Sequence, residues 1–508
     1  MYISRRYFAA GALAGLAGLQ LDRGQVLAPR PKLFIFLIAE QFREIYLERI
    51  AAGLTQGGFN QLITKGIFYP NCHLASSGFT ASGLATLVAG AYPQLHGIIA
   101  DQWYDRATHA PVKPRTDMLE ATTLADQAAE AGNSRVFCLG LRERQTSLLA
   151  GQSGAQTFWM DEKGRFDTRG DVPDWLTAFN ASESLDSLHD KNWNAVGATS
   201  GTPPLRTLTY DAKHPEEFFA LYQSSPFAQD AQFRLLHMLA DGEKLGQGKT
   251  LDFVFVALGS MALLGYETGS DSPLMDQMTL RLDLRIQGML EMLNKAPGKG
   301  NYNLIFAAAH GAPPEPDPSA RPQKAIFGET VARAINKALG ESIDKYPPFN
   351  TYVEKYVYPF LYLKLDALRE KSVALPGARR LAGEAALRVP GVAGYYTKNG
   401  DCSHTGEWRR RFENSFHDPR SGDVMLSYEV GAVEDFGGGR GVSYGSLYNY
   451  DTQVPLFLYG AQFGSRRIER AIELVDLAPT MARAAGLSPP SSTTGAVLAE
   501  AFAESNER

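Results

Sequence analysis

Asn303-Leu-Ile-Phe-Ala-Ala-Ala-His310-Gly311 is an apolar run that ends abruptly on an imidazole and a glycine. Residues 303–308 read as a buried strand, and His310 stands just past its end. Two other stretches have the same character. Lys32-Leu-Phe-Ile-Phe-Leu-Ile-Ala-Glu-Gln-Phe-Arg43 is a continuous apolar run that leads into a polar tip, and Leu251-Asp-Phe-Val-Phe-Val-Ala-Leu258 is a second. Runs without in–out alternation belong to parallel strands covered on both faces. Between them, residues 273–294 place Leu274, Met278, Leu282, Ile286 and Leu290 at helical spacing, which predicts an amphipathic helix. The class is therefore α/β, and the polar tips of the strands are where function is expected.

The segments between the strands are equally distinctive. Ser77-Gly-Phe-Thr-Ala-Ser-Gly-Leu-Ala-Thr-Leu-Val-Ala-Gly90 is a polar turn feeding a helix of small residues, followed by Gln94-Leu-His-Gly-Ile98 and Gln102-Trp-Tyr-Asp-Arg106. Later come Gly265-Tyr-Glu-Thr-Gly269, the run from Tyr444-Gly-Ser-Leu-Tyr-Asn-Tyr-Asp-Thr-Gln453 to Gly460, and Glu473-Leu-Val-Asp-Leu-Ala-Pro-Thr480. Taken in order, these motifs resemble the alkaline phosphatase superfamily, of the type I phosphodiesterase/nucleotide pyrophosphatase-like kind. Within it the chain is most similar to single-chain periplasmic phosphatases with a threonine nucleophile. The resemblance spans residues 31–502 and implies a mostly parallel central sheet sandwiched by helices, with an inserted cap.

What the resemblance implies for the site differs from residue to residue. The nucleophile motif matches Phe79-Thr80-Ala81, which makes Thr80 the candidate nucleophile at a helix start, where free amides favour an anion; the plainer reading is a helix cap. The ligand positions of the first metal are Ala262, Tyr266 and Tyr444, none of them a zinc ligand, since a neutral phenol does not compete with imidazole or carboxylate. The second metal's positions are Glu40, Thr80, Ala309 and His310, of which Glu40, Thr80 and His310 retain donor atoms. The expected cofactor is none, or one weakly held divalent metal, zinc first; the two-metal clamp is lost. The phosphoryl-contacting positions are Asp101, Arg142 and Arg144. The arginines suit phosphate or sulfate oxygens, while Asp101 sets a negative charge where an anion belongs. A solvated Arg loop paired with Glu143 is the alternative for Arg142 and Arg144.

The chain has 508 residues, 44% hydrophobic and 21% charged, with a net charge of −5 and 49 glycines, which fits one large α/β domain and gives no basic excess for nucleic acid. Arg409-Arg-Arg411, between Glu407 and Glu413, reads as a solvated face. Cys72, Cys138 and Cys402 show no disulfide pattern; Cys72-His73 and Cys402 with His404 are read as ordinary residues before replacement ligands, and the sequence leaves open whether Cys402, His404, His417 or the acids around Glu434-Asp435 fold back to supply missing ligands. At the amino terminus, Ser4-Arg-Arg-Tyr-Phe8 and a short Ala/Gly-rich apolar run match a bacterial twin-arginine export signal, too short for a membrane span. That predicts a periplasmic or extracytoplasmic protein. The expected organisation is signal and linker over 1–30 and the α/β domain over 31–505, with a cap at about 145–230 and a second excursion at about 313–440.

Two functions remain open. In one the chain is an exported pseudo-phosphatase with a degenerate two-metal site, little or no hydrolysis, and a binding or regulatory role. In the other it is an active phosphomonoesterase or phosphodiesterase that uses one metal or a rebuilt site around Thr80. Either would take a phosphate- or sulfate-bearing small molecule; the sequence names no protein partner.

Overall fold

The computed structural model describes residues 30–314, 325–326, 328–344, 346–430, 432–434 and 444–503. The proposed export signal and Asp435 lie outside them. Among the described residues no helix is long and apolar enough to cross a membrane.

A ten-stranded sheet forms the centre. Leu33–Ala39 lies in its middle, parallel to Leu251–Leu258 on one side and to Tyr302–Ala308 on the other. Ser134–Gly140 continues the parallel set beyond Leu251–Leu258, and Gln156–Met160 lies beyond that. On the opposite flank Gln453–Gly460 runs antiparallel to Tyr302–Ala308 and to Ile67–His73. Every residue of Leu33–Ala39 and Tyr302–Ala308 is buried, as their unalternating composition requires. Phe34 and Phe36 stack on Phe253 and Phe255 across the strand pair, with centroids 5.1 and 4.5 Å apart. Helix Pro273–Leu293 packs Met278, Leu282, Ile286 and Leu290 inward; Met275 is buried at its first turn, while Leu274 is only half-buried.

The cap begins later than the composition suggests. Residues 145–168, within the expected cap, form most of helix Glu143–Ala150 and the last two strands at one flank of the main sheet, Gln156–Met160 and Phe166–Thr168. Edge strands bury less, so their sequence alternates weakly and looks irregular. The excursion proper holds helix Asp174–Ser182 and the small hairpin Lys191–Trp193/Arg206–Leu208. The later excursion is a four-stranded antiparallel sheet, Val353–Val357, Phe360–Leu363, Val424–Tyr428 and Val392–Thr397, with helices Gly328–Ile343 and Leu375–Leu387. It has its own core around Ile335, Leu361 and Leu426.

The triple arginine is not a uniformly solvated face. Arg409 and Arg410 pair with Glu413 and Glu407, but Arg411 is buried and donates to Thr452 Oγ1 at 3.0 Å and to Asn449 Oδ1. A helix that packs against a loop turns one residue in three or four inward whatever its charge, and buried guanidinium is tolerated when its donors are matched.

Candidate active site

Parallel strands that end side by side place their following residues along one edge, the usual crevice of an open α/β sheet. Glu40 follows Leu33–Ala39, His310 follows Tyr302–Ala308, Arg142 and Arg144 follow Ser134–Gly140, and helix Ser260–Thr268, which carries Ala262 and Tyr266, follows Leu251–Leu258. Backbone bonds from Glu40 N to Leu258 O and from Ala309 N to Ala39 O, 3.2 and 2.9 Å, hold these tips level.

Thr80 reaches the same edge on helix Thr80–Ala89, which is entirely buried. Gly83 makes the approach possible: a Cβ there would overlap the carbonyl oxygen of Ala309. Thr80 is the first helical residue and Phe79 holds the cap position without a capping side-chain bond, so the cap reading of Thr80 does not apply. The Thr80 hydroxyl lies 2.9 Å from His310 Nε2 and 3.4 Å from Glu40 Oε2. His310 Nδ1 is 2.7 Å from the Gly311 carbonyl oxygen, which only accepts, so Nδ1 carries the proton and Nε2 accepts from Thr80. Burial lowers the His310 pKa to about 4, which leaves the ring neutral at pH 7.

Asp101 is the residue whose placement matters most. Its Oδ1 accepts from the Ala81 backbone N–H at 2.7 Å, and its Oδ2 accepts from the Tyr444 hydroxyl at 2.6 Å. A free first-turn amide is where the positive end of the helix would meet an oxyanion; the protein's own carboxylate occupies it. The Tyr444 ring stacks on the His310 imidazole at 4.5 Å and 14° and lies 5.2 Å from the Tyr266 ring. Aromatic groups thus pack together at two of the positions of the first metal, and buried Ala262 stands at the third. Burial raises the Tyr266 pKa further, so it stays a neutral phenol.

Glu40 is held by a residue the sequence reading missed. Gln145 Nε2 donates to Glu40 Oε1, and Gln145 Oε1 accepts from the Arg142 N–H at 3.2 Å. Burial raises the Glu40 pKa to about 7; Arg142 opposes this and Asp101 adds to it. No sequence signal singles out Gln145, one polar residue in an ordinary helix. Arg142 and Arg144 make no ion pair among the described residues, and Glu143 pairs instead with Arg169, so the solvated pair with Glu143 does not form. Arg144 lines an open cleft of about 820 Å³ with Gln102, Lys113 and Arg115.

The other candidate ligands have partners elsewhere. Cys72 and His73 are in the sheet ladder, His404 bonds Ser403 and stacks on Trp408, and His417 bonds Glu120. Cys72, Cys138 and Cys402 are free thiols. Among the described residues no group of three or more His, Cys, Asp or Glu side chains is arranged to hold a metal ion. The donor set does not fit a two-zinc centre. Of the surviving donors, Thr80 and His310 are bonded to each other and Glu40 is tied to Gln145.

Residues 34–433 match the model of the family described as type I phosphodiesterase / nucleotide pyrophosphatase. The chain belongs to this family. It therefore lies within the alkaline phosphatase superfamily, as the relatives also indicate. It is 25% identical to alkaline phosphatase PafA of Elizabethkingia meningoseptica over 96% of this chain and 97% of that one. Alkaline phosphatase PhoV of Synechococcus elongatus is 23% identical over 93% of each. The crystal structure of PafA superimposes with a TM-score of 0.83 at 22% identity, over 94% of this chain and 100% of that one, which establishes the shared fold.

Proposed function

We propose that this family member is a pseudo-phosphatase: it keeps the phosphoesterase fold and nucleophile helix, has little or no phosphoester hydrolysis, and serves a binding or regulatory role. The observation that carries this is Asp101 on the Ala81 amide, a fixed negative charge on the helix terminus that an incoming phosphoryl group would need. The alanines and tyrosines at four metal-ligand positions support it independently. At most one weakly held divalent metal would be bound, by Glu40, Thr80 and His310. The ligand class is a small phosphate- or sulfate-bearing molecule, approached through Arg142 and Arg144. The Arg5-Arg6 motif supports export by the twin-arginine route, to the periplasm or beyond.

A working one-metal phosphoesterase is the rival reading, favoured by the convergence of Glu40 and His310 on the Thr80 hydroxyl. Elemental analysis combined with p-nitrophenyl phosphate turnover separates the two. Pseudo-phosphatase behaviour means no turnover above a Thr80→Ala control, with and without added zinc. Turnover that rises with zinc and vanishes in Thr80→Ala establishes the rival.

A further inference from the structure

Positive charge near the strand ends is not gathered on Thr80. The carboxylates of Asp101 and Glu40 stand there, whereas four cations, Lys113, Arg115, Arg144 and Arg169, line the open cleft of about 820 Å³ beside it. We propose that this cleft, and not the Thr80 site, binds a small polyol or saccharide carrying two or more anionic groups, an inference that rests on the reading of the Thr80 site as closed to oxyanions. Arg144 is the residue it shares with the phosphoryl-contacting positions; the other three cations lie outside them.

The cleft has stiff walls. Hairpin Trp103–Asp105/Ala110–Val112 runs out into Lys113-Pro-Arg115, and Pro111 and Pro114, with their fixed φ, stand on either side of Val112 and Lys113. Lys113 is thereby displayed to solvent from a segment with little backbone freedom. Arg115 donates to both oxygens of Asp117, at 3.0 and 2.7 Å. Helix Glu143–Ala150 supplies a second wall, where Arg144 and Ser147, three residues apart, share one face. Arg169, just past strand Phe166–Thr168, completes the lining and donates to Glu143 at 2.9 Å.

Charge sets the number of anionic groups. The lining holds two acids, Asp117 and Glu143, and each already has its own arginine. Two positive charges are left, on Lys113 and Arg144, which have no ion-pair partner among the described residues, in a chain whose net charge is −5. One exposed ion pair contributes little by itself, so a ligand gains affinity here only by meeting both cations at once.

The remaining lining selects the skeleton. None of the lining residues is aromatic, so a nucleobase or aryl group finds no ring to stack on. Gln102, Thr116 and Ser147 make no side-chain hydrogen bond among the described residues, and they offer donors and acceptors to hydroxyl groups. The volume falls within the range of small-molecule pockets, roughly 300–1,000 Å³.

Calorimetric titration of the full protein at low ionic strength tests this with fructose 1,6-bisphosphate and sucrose octasulfate as probes and AMP as the aromatic, single-phosphate control. At least one probe should bind tighter than about 1 mM, at least about tenfold tighter than AMP, and more weakly as salt is raised; the tighter of the two tells phosphate from sulfate. Lys113 is exposed, so its reversal leaves the fold intact, and Lys113→Glu should weaken the binding about tenfold. Lys65→Glu makes the same charge change on helix Phe59–Lys65, which packs at the other end of the sheet, and should leave binding unaltered. Neither probe binding tighter than about 1 mM, AMP binding within tenfold of the better probe, or a loss in Lys113→Glu no larger than in Lys65→Glu would overturn the inference. Turnover of p-nitrophenyl phosphate in the same preparations bears on the pseudo-phosphatase reading alone, and dependence on Lys113 bears on the cleft alone, so the two fail separately.

Discussion

Replacing Asp101 by asparagine removes one negative charge while keeping the shape of the site. The asparagine oxygen still accepts from the Ala81 amide, and its NH₂ faces the Tyr444 hydroxyl, which turns to accept. A unit charge about 4 Å from a bound oxyanion opposes it by roughly 4 kcal/mol at an effective dielectric near 20. Asp101 is half-buried, and solvent and salt reduce this to about 2–3 kcal/mol. The unmodified protein should bind phosphate and sulfate no tighter than about 1 mM, or roughly 4 kcal/mol. Asp101→Asn should then bind roughly 30- to 150-fold tighter, about 7–30 μM from a starting value of about 1 mM. Calorimetric titration at fixed ionic strength measures both. Micromolar phosphate affinity in the unmodified protein, or no gain in the variant, would refute the claim that Asp101 occupies the anion site.

Elemental analysis after purification in zinc-containing buffer should find less than about one equivalent of tightly bound zinc per chain, and two equivalents would contradict the loss of the first site. Combining Ala309→Asp, Ala262→Asp, Tyr266→His, Tyr444→His and Glu40→Asp should raise zinc binding and phosphomonoester hydrolysis in a protein that still folds; two bound zinc ions without hydrolysis would implicate Asp101 or the cap as well. Gly83→Ala should cost about 2–3 kcal/mol in denaturant unfolding, because its methyl group meets the Ala309 backbone and not a flexible side chain. Burial raises the Asp451 pKa from 3.8 to about 7, with one carboxylate oxygen unpartnered. A raised carboxyl contributes stability that is present below pH ~3.8 and lost as pH climbs through about 7. Asp451→Asn should therefore gain on the unmodified protein between pH 4 and 8 by up to about 4 kcal/mol, and a pH-independent difference would show that Asp451 is not buried as a neutral acid.

Much of this protein is written locally in its chain. The central strands Leu33–Ala39, Leu251–Leu258 and Tyr302–Ala308 are legible because burial on both faces demands unbroken apolar runs, and the helix after Ser272 because one buried stripe demands 3.6-residue spacing. That alanine or tyrosine stands at 262, 266, 309 and 444 is legible too, since whether a side chain is a ready zinc donor is a property of each residue alone. What the chain does not display is which side chains meet. Asp101 finds Tyr444 343 positions away, and Gln145 finds Glu40 105 positions away. Those pairings depend on strand order, on level strand ends, and on how closely Gly83 lets its helix approach Ala309. The edge strands at 156–168 and the burial of Arg411 were hidden for the same reason, because packing decides them and no local period records it. Residue identity showed which side chain stands at each position; only the tertiary structure decided that the Asp101 carboxylate would take the Ala81 amide and that an imidazole would stand against the threonine, because both contacts join segments that the fold alone brings together.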